Sequence, residues 1–209
     1  CRRGPYALGA KAGGNDDSHN HNDTGSVTLY KDGRPLLIDV GVGSYTRKTF
    51  SPRRYEIWTM QSSWHNLPEF DPEGARIQQL PGPDHRAAAV QVAPAPDGIA
   101  MDLAPAYPPV PGLGYYRRTV RLTANGLALT DETDCPAPAA LTLMSVEKPA
   151  VERDTRVALG GLGRVVLEAP ARIEVEAVPV TDPRLRIAWP GTLYRTRIYF
   201  TGRLALRVE

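Results

Sequence analysis

The chain reads as a succession of short alternating or β-branched runs, each closed by Gly, Pro, Asn or Asp. That is the pattern of strands with one buried face, separated by tight turns. Two places are more specific. Ser26 to Lys31 and Pro35 to Val40 flank Asp32-Gly33, and Tyr115 to Thr123 and Leu127 to Asp131 flank Asn125-Gly126. Both dipeptides tolerate the positive φ that a two-residue hairpin demands. Further strands are predicted at Arg76 to Leu80, Arg86 to Val92, Ile99 to Leu103 and Ala140 to Val146. The last third adds Arg164 to Glu168, Arg172 to Val178, Leu185 to Trp189, Leu193 to Phe200 and Leu204 to Val208. No segment keeps a helical period over several turns. The Pro-rich stretch from Ala93 to Pro111 is interrupted by the strand at Ile99, so it reads as loops rather than a linker. The expectation is all-β: one domain over residues 1–209, an antiparallel β-sandwich of two stacked sheets.

Composition changes this picture little. At 209 residues, 42% hydrophobic and 23% charged, the chain is long enough for one large β domain. Its 19 glycines and 20 prolines show no Gly-X-Y repeat and so read as turns. A net charge of +2 gives no electrostatic case for nucleic acid or a membrane surface as partner. No apolar run approaches the roughly 20 residues that span a bilayer. Cys1 and Cys135 are too far apart in sequence for a CxxC site and are as readily two free thiols as a pair. The opening Cys1-Arg2-Arg3-Gly4-Pro5 lacks a Met and the apolar core of a signal peptide, and strand-like sequence begins almost at once. The expectation is a C-terminal piece of something longer, whose start says nothing about export.

The chemistry gathers near the start. Three of the four histidines, His19, His21 and His65, lie in the first third, and the segment from Gly13 to Asp23 is dense in polar groups. Burying so many polar groups without partners would cost several kcal/mol, so the segment is expected outside the core. A solvated loop rich in turn-forming Asn and Asp is its simplest reading. Against that stands the spacing. In an extended chain His19 and His21 project from one face, and the Asp32-Gly33 hairpin returns Asp39 beside them. Two imidazoles and a carboxylate at one sheet end suit Zn2+ or Mn2+, with His65 in Ser62-Ser63-Trp64-His65-Asn66 a fourth candidate. Gly13, five residues and His19-x-His21 also match the opening of a cupin motif. A cupin then expects Glu where Gly25 and Ser26 stand, which weakens that alternative.

Taken together, several spaced motifs resemble the C-terminal half of heparinase II/III-like and related alginate lyases. They are Lys11-Ala12-Gly13-Gly14, His19-Asn20-His21-Asn22-Asp23, Gly25-Ser26, Leu36-Leu37-Ile38-Asp39, Gly41, Tyr45, Arg54-Tyr55 and Trp64-His65-Asn66. The resemblance covers about the first third of the chain; the rest matches only in being β-rich. It implies that His19 is catalytic, that His21, Asp39 and His65 bind zinc, and that Tyr45, Arg54 or Tyr55 line a sugar-binding groove. For Tyr55 a cross-strand packing role on a sheet is an equal reading. Trp64 is either a sugar platform or, more simply, core.

The reaction so implied is β-elimination at a uronic acid of an acidic polysaccharide. A base takes the C5 proton, the C4–O4 bond breaks as the 4,5 double bond forms, and the departing O4 takes a proton. The uronate carboxylate must be neutralised as negative charge develops, and an imidazole suits the base because its ordinary pKa lies near working pH. In the resembled enzymes a tyrosine acid and the carboxylate-neutralising Asn or His come from an N-terminal α/α-toroid, which is not in these residues. The chain is therefore expected to form one wall of the cleft, to partner that toroid and the polysaccharide, and to be inactive alone. The zinc is expected to be structural, pinning the loop that presents His19. Periplasmic or secreted location is implied in the same way. A non-catalytic carbohydrate-binding module, with Arg53-Arg54 and aromatics holding an anionic glycan, stays open beside it, as does the cupin-like metalloenzyme.

Overall fold

The computed structural model describes residues 1–93 and 97–209; the loop expected at 94–96 lies outside the described residues. The first strands are β1 (Arg2–Arg3), β2 (Tyr6–Ala10), β3 (Gly14–Asn15), β4 (Val27–Lys31), β5 (Arg34–Leu37) and β6 (Pro68–Phe70). Then come β7 (Gly82–Arg86), β8 (Ala88–Val92), β9 (Gly98–Asp102), β10 (Tyr116–Thr123), β11 (Gly126–Thr133) and β12 (Ala139–Ser145). The last are β13 (Pro149–Arg153), β14 (Arg156–Leu159), β15 (Gly163–Leu167), β16 (Ile173–Pro179), β17 (Thr192–Phe200) and β18 (Arg203–Val208), with one short helix, α1 (Leu185–Ala188), before β17. Four 3-10 turns fill the stretch between β5 and β6, at Lys48–Phe50, Pro52–Glu56, Trp58–Met60 and Ser62–Trp64.

An eight-stranded sheet in the order β13-β14-β15-β18-β11-β10-β9-β8 forms one layer. Facing it are two four-stranded sheets, β1-β2-β4-β5 and β16-β17-β12-β6, which abut where Ile38 N donates to Met144 O at 3.0 Å. The main core lies between the layers and draws on both, with Leu29 and Leu37 from one side and Val120, Leu129, Val165 and Leu206 from the other. Each fully buried Leu or Val contributes about 1.5–3 kcal/mol. β12 is buried along its whole length, Thr142 and Ser145 included, so its burial does not alternate. Leu141 and Leu143 enter the main core. Met144 joins a second, smaller cluster with Ile38, Val40, Val178, Leu185 and Leu193, bordered by Trp58, Trp64 and Trp189. That second cluster seats the 3-10 segment and α1.

Both expected hairpins form. Asp32 (φ 51°) and Gly33 (φ 75°) make the turn between β4 and β5. Between β10 and β11 the loop is Ala124-Asn125, because Thr123 already pairs with Gly126. Along β10 the burial alternates, with Tyr116, Arg118, Val120 and Leu122 inward.

Some expectations are corrected. Leu185 to Trp189 is not a strand: Asp182 accepts the N–H groups of Arg184 (2.9 Å) and Leu185 (3.1 Å), which starts a helical turn after Pro183. Arg76 to Leu80 contributes only the isolated bridge of Ile77 with Phe70. Tyr55 sits in a 3-10 turn, so the cross-strand packing role on a sheet falls away. Strands β1, β2, β3, β6, β7, β13 and β14 were not expected. Cys1 is exposed and Cys135 buried, both as free thiols.

Candidate metal centre

The polar segment near the start is an excursion from the β2–β4 connection. Ala10 pairs with Val27, the ladder runs on through Lys11 and Ser26, and a Lys11–Asp23 ion pair closes the base of the loop. Contrary to expectation the loop is not simply solvated. Asn15, Asn20, Asn22 and Thr24 are buried, and Gln79 answers three of them. Asn15 Nδ2 donates to Gln79 Oε1 (3.0 Å), Gln79 Nε2 to Thr24 O (2.7 Å) and Asn22 Nδ2 to Gln79 O (3.0 Å). Buried amides are tolerated when they are paired in this way.

This bracing sets His21. On one side Arg54 donates through Nε (3.0 Å) and Nη2 (2.7 Å) to the carbonyl of Asn20. On the other, Asn22 N donates to Met60 O at 3.0 Å. Asp39 follows the apolar run Leu36–Ile38, and His65 follows the last 3-10 turn, its N–H bonded to Ser62 O at 3.1 Å. The three side chains converge: one donor atom from each of His21, Asp39 and His65 lies within 4.8 Å of the others. The His21 and His65 rings are 5.4 Å apart, and His65 Nδ1 is 2.7 Å from Asp39 Oδ2.

The electrostatics fit a cation. Burial, aided by the neighbouring His65, lowers His21 to about 4, which leaves its imidazole neutral around pH 7. Burial alone would raise the Asp39 carboxyl, but the charge and hydrogen bond of His65 hold it well below the usual carboxylate range. His65 is pulled down by its complete burial and up by Asp39, and Asp39 prevails. Its Nε2 is buried with no hydrogen-bond partner among the described residues. Leaving such an atom unmade costs about 1–3 kcal/mol. Two imidazoles and one carboxylate are a zinc-type donor set that leaves a position open.

His19 does not join this trio. It has φ 61°, so the backbone changes hand between the two histidines and the shared face expected of an extended chain is lost. His19 is exposed, its ring 6.1 Å from that of Tyr45, which in turn lies 5.6 Å from Phe50. The cupin alternative, which needs both histidines at one ion, has no support in this arrangement. Of the groove candidates, Tyr45 is exposed beside His19. Arg54 is engaged with Asn20 O and, at 3.1 Å, Thr49 O. Tyr55 accepts from Asn20 Nδ2 at 3.3 Å. Trp64 is half-buried, edge-on to Trp58 at 5.0 Å, with Arg195 4.4 Å above its ring.

The residues that hold these parts together were missed in the sequence. Arg118 and Asp131 form a fully buried bidentate pair (2.8 and 2.7 Å), and Arg118 Nη1 also donates to Gly25 O (2.9 Å) and Asn66 O (2.7 Å). One guanidinium thus ties the end of the His21 loop to the residue after His65. Gly25 accepts this at φ 90° with Leu103 packed where a Cβ would stand, so no other residue fits there. Asn66 continues the tie, donating to Val27 O (2.6 Å) and Ile38 O (3.0 Å) and accepting from Met144 N (2.7 Å).

Comparison with known proteins accords with this architecture. The profile of the family described as heparinase II/III-like, C-terminal, matches residues 6–176. Among solved structures, the heparan sulfate lyase HepC from Pedobacter heparinus is similar with a TM-score of 0.67 and 15% identity, over 97% of this chain and 32% of that one. A heparinase III is similar with a TM-score of 0.56 and 16% identity, over 91% of this chain and 30% of that one. The chain therefore spans about a third of the length of the lyases whose fold it shares. No curated protein matches. The chain belongs to the heparinase II/III-like family, as its C-terminal β-sandwich domain.

Proposed function

We propose that this chain is the zinc-pinned β-sandwich wall of a polysaccharide lyase that cleaves uronate-containing acidic polymers by β-elimination. The observation that carries the reading is the division of labour between two neighbouring histidines. His21 turns inward to Asp39 and His65, while His19 turns outward beside Tyr45.

In this account His21, Asp39 and His65 hold Zn2+. When bound, the ion neutralises Asp39 and cross-links three segments that are distant in sequence. The elimination itself runs on side chains. His19 exchanges the C5 proton for one uronate epimer, its position set by Arg54 gripping Asn20 O and by Asn22 bonded to Met60 O. A tyrosine from a preceding α/α-toroid protonates O4, and a toroid Asn or His neutralises the substrate carboxylate. Tyr45 supplies an aromatic surface for the sugar. Arg54 and Tyr55, proposed as groove residues, act chiefly by holding Asn20. The polymer is met outside the cytoplasm, in the periplasm or beyond.

The test is the full-length enzyme on heparan sulfate and on alginate, read as absorbance of the 4,5-unsaturated uronate. Wild type is expected to generate it. His19→Ala is expected to lose about 10²–10⁴-fold in kcat, the usual contribution of a positioned acid–base group, with metal content and thermal stability unchanged. An unaltered rate in His19→Ala would remove His19 from the chemistry.

A further inference from the structure

The outward face around His19 contains a cation that neither the sequence motifs nor the proposed mechanism uses. Arg184 lies at the start of α1, far along the chain, yet its guanidinium carbon sits 4.7 Å over the ring of Tyr45, whose other neighbours are His19 and Phe50. Arg184 is exposed and forms no ion pair among the described residues. An arginine held by an aromatic face keeps its in-plane donors free.

Its placement is built rather than incidental. Asp182 Oδ2 accepts Ser44 N at 2.9 Å, while Oδ1 accepts Ser44 Oγ (3.2 Å), Arg184 N (2.9 Å) and Leu185 N (3.1 Å). One carboxylate thereby locks the turn that presents Arg184 to the loop that presents Tyr45. Trp189 Nε1 donates to Val40 O at 2.8 Å and fixes the far end of the same helical turn to the same loop. Leu185 is buried beneath in the second apolar cluster. The result is a rigid ledge with a free planar cation, an aromatic face and an imidazole in series.

We infer that Arg184 is a specificity-determining residue that binds an anionic group of the saccharide, carboxylate or sulfate, in the subsite next to His19. This rests on the proposed lyase reading for its reaction but not for its binding chemistry. A guanidinium offers two parallel N–H donors that match either oxyanion. The aromatic ring beneath it limits the directions from which the anion can approach. Asp182 is a positioning residue for the same contact.

The test uses the full-length enzyme, with Arg184→Ala, Arg184→Lys and Asp182→Asn. Arg121→Ala, which removes an exposed charge on β10 toward the Ala124-Asn125 turn, serves as the charge control. Arg184→Ala is expected to raise KM by roughly tenfold, the effect of losing one charge-assisted contact, with kcat and unfolding temperature little changed. Arg184→Lys is expected to recover part of the loss. Equilibrium binding of alginate oligosaccharides, which offer carboxylates alone, and of heparan sulfate oligosaccharides, which add sulfates, identifies the anion. A loss confined to heparan sulfate assigns sulfate; a loss on both assigns carboxylate. If wild type binds these oligosaccharides through Arg184 but releases no unsaturated product, the lyase reading falls and this one stands. If wild type cleaves and neither KM nor affinity responds to Arg184→Ala beyond the Arg121→Ala control, Arg184 has no such role.

Discussion

His19 and His21 are separated by one residue and by a reversal of backbone hand, and that reversal gives them different surroundings. The inward histidine meets a carboxylate and a buried imidazole; the outward one meets solvent and an aromatic ring. Replacing His21 by Ala should therefore lower both metal content and unfolding temperature, measured by elemental analysis and calorimetry. Full metal content in that variant would strike His21 from the ligand set. Proton competition adds a second expectation. Ligand imidazoles must be deprotonated to bind a cation, and Asp39 raises the affinity of His65 for its proton. Zinc uptake by chelator-stripped protein should thus weaken steadily as pH falls below neutrality; uptake indifferent to acid would argue against imidazole ligation.

At the scale of elements, β4, β5 and the 3-10 segment are brought to one place by a buried ion pair. Arg118 and Asp131 face each other across the β10–β11 hairpin, and Arg118 also donates to Gly25 O and Asn66 O. Removing one partner of such a pair leaves an uncompensated buried charge and costs about 3–5 kcal/mol. Asp131→Ala should lose that much in denaturant unfolding and should also loosen metal binding. Removing an exposed pair such as Arg203–Glu168 should change little by comparison. A Asp131→Ala variant as stable as wild type would show that the pair does not organise the site. This pair was only half within reach of the sequence. The alternation of Tyr116, Val120 and Leu122 puts Arg118 inside, but a turn at Asn125-Gly126 would set it opposite Thr133; only the observed Ala124-Asn125 loop pairs it with Asp131. The partners of Asn15, Asn22 and Thr24 were not within reach, because Gln79 approaches from more than fifty residues away in sequence. Helix α1 was misread because Leu185, Ile187 and Trp189 alternate like a strand. The Asp182-Pro183 start signal was the local cue that outweighed them.

For the whole molecule, the sandwich supplies two layers, a shared core and one braced loop, and it spans about a third of the lyases it resembles in fold. Strand alternation and hairpin dipeptides were enough to anticipate the all-β architecture, since both are local signals. How the sheets divide, and which polar loop residues are buried, depends on contacts between distant segments. If, as proposed, the proton donor stands on the opposite wall of the cleft, residues 1–209 alone should release little or no unsaturated uronate. Robust elimination by this chain alone would show that its own residues complete the site.

The most direct test of the central claim is element-specific anomalous diffraction from crystals of the purified protein, paired with elemental analysis. One zinc per chain is expected, bonded to His21, Asp39 and His65, with the His19 side chain outside the coordination sphere. A protein without metal after purification in zinc-containing buffer, or an ion held by His19, would contradict it.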